Sequence, residues 1–253
     1  MKQTYEEYTR IAVEQSARDF GCDPEAFGAD ENRFLVSGLA EGARVYCRRP
    51  VLFEMATYGK NTVAAGREDL IAAAREALGD CEAPYGPFRP ENLAELDRQL
   101  RQRGAKLGYA SHYFLPDPAA AAAFDIPCPF PVRLLEPAEF AALYVPEFPN
   151  ALSAKRPECD RLACAAYDGD RVIALAGISE DCAAMWQIGI DVLPAYRGHG
   201  IGPCLVNRLT REVLSRGSLP FYGAAWANVR SMKTAERAGY RMAWTQVAAV
   251  PLA

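Results

Sequence analysis

The order of apolar and polar positions divides the chain into alternating helical and extended stretches. From Tyr5 to Phe20 the residues Tyr8, Ile11, Ala12 and Gln15 recur at spacings of three and four, and Gly21 follows as a stop, which predicts a helix. The period then shortens. Arg33–Val36, Arg44–Cys47 and Val51–Met55 are short, rich in β-branched or aromatic residues and separated by glycine or proline turns, so they read as an antiparallel meander. Helices are expected over Glu68–Leu78 and Glu91–Arg103, the second with Leu93, Leu96 and Leu100 on one stripe, before a strand over Tyr109–Leu115.

The second half begins with a strand over Val132–Leu135 and a short helix over Pro137–Leu143, followed by an irregular stretch to Pro157. Leu162–Tyr167 and Val172–Ile178 flank Asp168-Gly169-Asp170, a strong hairpin signal. A strand over Ala184–Val192 then enters a glycine-rich loop. Ile201, Leu205, Leu209 and Val213 recur every four residues and line one face of a helix that Gly217 ends. Phe221–Ala225 is a strand, Asn228–Ala238 a helix and Tyr240–Val250 a closing strand.

Between the halves, residues 116–131 combine five prolines with a run of alanines and read as a linker. The expected division is an α/β domain over 1–115 and a second, mixed α+β domain over 132–253. Strand, helix, helix and strand from Val51 to Leu115 echo the order of the last seventy or so residues without the glycine loop, which leaves two readings open: a degenerate repeat of the second domain, or, since identity between the halves is weak, convergent α/β order. A length of 253 residues suits two such domains, and a hydrophobic share of 50% with 24% charged residues is that of a globular chain.

Composition narrows the partners. A net charge of −4 gives no broad phosphate-binding face, so nucleic acid is not expected. No signal segment opens the chain and no apolar run reaches the roughly 18 residues of a membrane span, so a cytoplasmic location without membrane association is expected. The eight cysteines form no Cys-x-x-Cys pair, and neither His112 nor His199 stands at metal-site spacing from one, so no metal is expected.

The chemistry concentrates in Ile190-Asp191-Val192-Leu193-Pro194-Ala195-Tyr196-Arg197-Gly198-His199-Gly200-Ile201-Gly202. Glycines let backbone amides approach an anion, and the helix that starts there adds unpaired N–H groups and its positive dipole end. Such a turn holds a pyrophosphate. Two common nucleotide loops are excluded: Gly-Lys-Ser/Thr is absent, and Gly198, Gly200 and Gly202 alternate, with Leu205 where the dinucleotide fingerprint needs a small residue.

The segment resembles the Arg/Gln-x-x-Gly-x-Gly/Ala signature of the GNAT superfamily of N-acetyltransferases, carried by Arg197, Gly200 and Gly202. Asn228-Val229-Arg230-Ser231 followed by Gly239-Tyr240 is similar to a second family element. The resemblance covers about residues 131–253 and implies the GNAT acyltransferase fold there. It implies acetyl-CoA as cosubstrate, held by Val192, Leu193, Arg197, Gly198, His199, Gly200, Ile201, Gly202, Asn228 and Ser231. The implied activity is direct transfer of an acetyl group to a primary amine of a small molecule or peptide in a ternary complex, with a homodimer left open. Asn228 is also a good N-cap in its own right.

One departure stands out. Family members often carry a tyrosine four residues after the serine, as the acid that reprotonates the leaving thiolate, and Ala235 stands there. Water or Tyr222 would substitute. An ammonium acceptor must lose a proton before attack, and the candidate bases are Asp191, on the coenzyme strand, and Glu180 with Asp181 at the end of the strand before it. Gln187 cannot serve as a base. Ala235 and Gln187 also suit a second reading, a coenzyme A-binding module with a structural or sensory role and no catalysis.

Overall fold

The computed structural model describes residues 4–38, 41–44, 51–123 and 125–252, so the expected strand at 44–47 falls, apart from Arg44, outside the described residues. The chain divides into two compact units: residues 9–113 with 243–253, and residues 1–8 with 114–242. Helix α1 (Tyr5–Phe20) and strands β4 (Ala105–Pro116) and β10 (Tyr240–Pro251) each pass from one unit into the other.

In the first unit the strand order is β1 (Arg33–Val36), β3 (Thr62–Gly66), β2 (Phe53–Thr57) and β10. The expected meander is corrected here. β2 and β3 are antiparallel, but β1 runs parallel to β3, from Arg33↔Val63 to Val36↔Gly66. β3 has no alternation to betray it, because all five of its residues are buried. A strand covered on both faces reads as a continuous run of small and apolar residues. Helices α2 (Glu68–Leu78) and α3 (Pro90–Arg101) follow with no strand between them.

Trp244 on β10 stacks between Tyr58 and Tyr113, with ring centroids at 5.3 and 4.7 Å. Beside the stack Asp19 and Arg44 form a buried ion pair at 3.1 Å. Glu54 on β2 accepts a hydrogen bond from Gln246 Nε2 at 2.5 Å, and burial, with the Asp19 carboxylate next, pushes its carboxyl up to about 7.

The second unit carries β9 (Leu219–Ala225), β8 (Met185–Val192), β7 (Arg171–Ser179), β6 (Asp160–Asp168) and β5 (Val132–Leu135) in that order. β5 through β8 are antiparallel neighbours, and β8 runs parallel to β9. Between them comes α4 (Pro118–Ala123), at the start of the proline-rich stretch, then α5 (Pro137–Phe140), α6 (Ile201–Ser215) and α7 (Val229–Arg237). The expected repeat is not confirmed: α6 and α7 are separated by β9, whereas α2 and α3 are consecutive.

Helix α6 buries Ile201, Leu205, Leu209 and Val213, the stripe read from spacing, against Ile173, Ile188 and Tyr222 in the core of this unit. Each fully buried aliphatic side chain of that kind contributes about 1.5–3 kcal/mol. Gly217, at φ 84°, closes the helix.

The opposite face of β7 and β8 carries the irregular chain after α5. Gly177 and Gly189 are directly paired across these strands, and a Cβ on either would stand 1.8 Å from the Ala151 oxygen or 1.7 Å from the Asn150 oxygen. Backbone thus lies directly on sheet. Asp191 fastens it: Oδ2 accepts from the Asn150 and Ala151 amides at 2.7 and 2.9 Å, and Oδ1 from Asn150 Nδ2 at 2.6 Å.

Two outcomes test these packing arguments. Gly189→Ala should destabilise the protein by about 1–3 kcal/mol or more in urea unfolding, because the new methyl meets backbone, whereas Gly28→Ala, with open space around it, should change little. Glu54 is raised above the ordinary carboxylate value, so it binds a proton more tightly folded than unfolded, and stability from it is lost as pH rises from about 4.5 towards 7. Glu54→Gln should flatten that part of the melting-temperature profile; an unaltered slope would contradict the assignment.

Candidate active site

β8 keeps its pairing with β7 as far as Val192, but its pairing with β9 ends at Ile188↔Tyr222. Beyond that pair Gly189–Val192 and Gly223–Ala225 part and line a cleft of about 1220 Å³. The ladder fixes which backbone groups face the opening. Leu193 N–H donates to the Ile173 oxygen at 2.9 Å, so in the alternating antiparallel pattern Asp191 and Gly189 bond to β7, and Ile190 and Val192 turn their N–H groups away from it. The Val192 oxygen accepts from Arg197 Nε at 2.9 Å, which leaves the Ile190 and Val192 amides as donors into the cleft.

A turn at Pro194–Tyr196 leads to Gly198 and Gly200, at φ 87° and 78°, the left-handed region that glycine tolerates. Gly200 is the N-cap of α6, and no side chain caps it, so the first amides of the helix face the cleft mouth with the positive end of its dipole. Gly202 lets α6 approach α7: a Cβ there would lie 3.3 Å from Thr234 Cγ2. Asn228 caps α7, its Oδ1 accepting from the Ser231 amide at 3.1 Å.

Val192, Arg197, Gly198, Gly200, Ile201, Gly202, Asn228 and Ser231 all line the cleft. Leu193 and His199 are not among the lining residues. Leu193 packs with Phe148, Leu152 and Leu175 beneath the irregular chain, and His199 is exposed, its Nδ1 at 3.2 Å from the Tyr196 oxygen. Sequence reasoning missed Arg230, Lys233 and Arg237, which also line the cleft and make no ion pair among the described residues. Their spacing of three and four along α7, beside the glycine turn, was the signal available.

Tyr222 stands at the last paired position of β9, 2% exposed, with its hydroxyl 2.8 Å from Ser231 Oγ. Burial raises its phenol pKa, so it remains a protonated donor at neutral pH. Ala235 is fully buried in the core. Of the acids, Asp191 lines the cleft but has both oxygens engaged by residues 150 and 151. Glu180 is ion-paired with Arg161 and is not among the lining residues, and Asp181 is buried and paired with Arg156. The end of the cleft away from the glycine turn is polar, with Ser153, Arg156, Asp160, Ser179, Asp181 and Gln187.

Among the described residues no helix is long and apolar enough to cross a membrane, no group of three or more His, Cys, Asp or Glu is placed to hold a metal ion, and seven cysteines are unbridged.

Residues 121–240 match the family model described as the acetyltransferase (GNAT) family. No curated protein sequence matches the chain. Among solved structures, a GCN5-related N-acetyltransferase-like protein from Streptococcus suis 89/1591 aligns over 63% of this chain and 67% of its own, at 20% identity and a TM-score of 0.47. A GCN5-related N-acetyltransferase from Kribbella flavida aligns over 62% and 63%, at 15% identity and a TM-score of 0.47. An acetyltransferase of the GNAT family from Colwellia psychrerythraea aligns over 61% and 62%, at 15% identity and a TM-score of 0.42. The matches thus span about two thirds of those chains or slightly less. The family takes acetyl-CoA as its cosubstrate. Residues 121–240, and the cleft they contain, form an acetyltransferase domain of the GNAT family, of mixed α/β fold.

Proposed function

We propose that the protein transfers the acetyl group of acetyl-CoA to a primary amine of a small molecule or peptide, directly, with both substrates bound. The observation that carries this reading is the parting of β8 and β9 after Ile188↔Tyr222, with the Ile190 and Val192 amides aimed into the gap and the uncapped α6 terminus at its mouth. The chain fits the cosubstrate at three places. The Gly198–Gly202 turn and first amides of α6 suit the pyrophosphate, the cations of α7 suit further phosphate charge, and the strand gap suits the pantetheine arm. Bound there, acetyl-CoA supplies a thioester carbonyl open to attack by nitrogen.

The residues divide the remaining work. Ile190 or Val192 N–H would donate to the oxygen on which charge develops, at no cost in reorganisation because the strand already holds the amide. Tyr222, at the apex of the gap and hydrogen-bonded to Ser231, is placed to protonate the departing sulfur, the role for which Ala235 has no side-chain group. Asp191 holds the 150–151 backbone and so shapes the acceptor wall; with three donors on its oxygens it suits positioning better than proton abstraction. Ala235 also favours a second reading, a domain that binds acetyl-CoA without turnover, and an amine screen with thiol release as readout separates the two.

Gly200→Glu should abolish saturable binding of acetyl-CoA in calorimetric titration, since it puts a carboxylate into open space at the phosphate end on a backbone at φ 78°. Retained affinity in a folded protein would remove the glycine turn from the site. Tyr222→Phe should lower kcat about tenfold with acetyl-CoA affinity within about twofold, a modest effect because a thiol of pKa about 8.5 leaves readily. An unchanged kcat would assign thiolate protonation to solvent.

A further inference from the structure

The polar end of the cleft is an ordered row. Asp160 on β6 pairs with Ser179 on β7, and Ser179 pairs with Gln187 on β8. Directly opposed residues in neighbouring strands project on the same side of a sheet, so these three side chains cross it in a line. All three line the cleft. Two residues further along β7 and β8 lies the Gly177–Gly189 pair that seats residues 150 and 151.

Within the row one carboxylate remains open. Three carboxylates line the cleft: Asp160, Asp181 and Asp191. Asp181 is joined to Arg156, and Asp191 has both oxygens bonded to residues 150 and 151. Asp160 is anchored through Oδ2 alone, which accepts from the Tyr144 hydroxyl at 3.0 Å and the Ser153 amide at 2.8 Å, and no hydrogen bond among the described residues reaches Oδ1. Ser179 Oγ next to it is buried with no partner among the described residues. A buried hydroxyl without a partner costs about 1–3 kcal/mol, which a ligand amine or its hydration would recover.

We propose that Asp160 is the general base of the transfer, taking the proton of the acceptor ammonium on Oδ1 while Ser179 and Gln187 hold the nitrogen between it and the thioester. This rests on the acetyltransfer reading above. One ammonium N–H bond breaks and its proton passes to Asp160. The freed lone pair forms the C–N bond at the acetyl carbon, and the C–S bond breaks with its electron pair going to sulfur. Tyr222 protonates the thiolate, the second proton lost from nitrogen restores the phenol through solvent, and Asp160 returns its proton to solvent.

The surroundings favour this role. Burial raises the Asp160 carboxyl above the ordinary range and nearby Asp181 adds to the rise, while the Ser153 and Tyr144 hydrogen bonds and Arg156 oppose it. A carboxylate so placed is a stronger base than an exposed aspartate, and closer to the match with working pH that proton transfer rewards.

The test uses the full chain, acetyl-CoA, a panel of primary alkylamines and hydrazine, whose conjugate acid is a far stronger acid than an alkylammonium so that it needs less help to lose its proton, with thiol release as readout. Asp160→Asn should lower kcat/KM for the best alkylamine about 100-fold at neutral pH, leave acetyl-CoA affinity within about twofold, and show a deficit that shrinks with hydrazine and as pH rises. Tyr144→Phe keeps the carboxylate but removes a hydrogen bond that favours its charged form, so the acidic limb of the pH profile should move to higher pH; this variant decides the matter if Asp160→Asn does not fold. Wild-type turnover with an unaffected Asp160→Asn, or a loss equal for both nucleophiles at every pH, would overturn the role of Asp160 alone. Absence of turnover by the wild-type protein across the whole panel, with acetyl-CoA bound, would overturn the acetyltransfer reading and the base together.

Discussion

The parting of β8 from β9 is the constraint on which the active site depends. A parallel pair that ran its full length would bond every inward backbone group and leave no room between the strands. Here the pairing stops at Ile188↔Tyr222, while β8 stays bonded to β7 on its other side. The amides of Ile190 and Val192 are therefore held rigidly yet left available. Rigidity and availability in the same donors are what electrostatic stabilisation of a developing oxyanion requires.

Two devices keep this arrangement open. On one face α6 packs its aliphatic stripe against β7 and β8, and the close approach of α7 at Gly202 brings the α7 cations beside the glycine turn. On the other face the Gly177–Gly189 pair admits backbone where side chains would otherwise stand, and Asp191 fixes residues 150 and 151 there. A residue that looks catalytic from its place on the coenzyme strand thus has a mechanical duty. The residue proposed for proton transfer, Asp160, lies on the far side of β7, two strands away.

The features legible in the sequence were those whose physics is local. Ile201, Leu205, Leu209 and Val213 face one way because of helical spacing alone, and the glycines after Arg197 announce a strand-to-helix turn. β3 was not legible, because burial on both faces erases the alternation that marks a strand. Arg230, Lys233 and Arg237 were visible as charges, but their common face beside the turn needed the packing of α7 on α6.

The amino-acid sequence by itself determined the order of helices and strands in the second half, the anion-binding turn and the resemblance of that half to a family that uses acetyl-CoA, since each follows from residues within a few positions of one another. The tertiary structure alone decided which acids are occupied. Asp191 meets partners 41 residues earlier, Asp181 meets an arginine 25 residues earlier, and Asp160 joins Ser179 and Gln187 only through strand register. Whether a carboxylate serves as clamp, ion pair or base depends on what its oxygens touch, and those contacts come from segments that the chain order keeps apart.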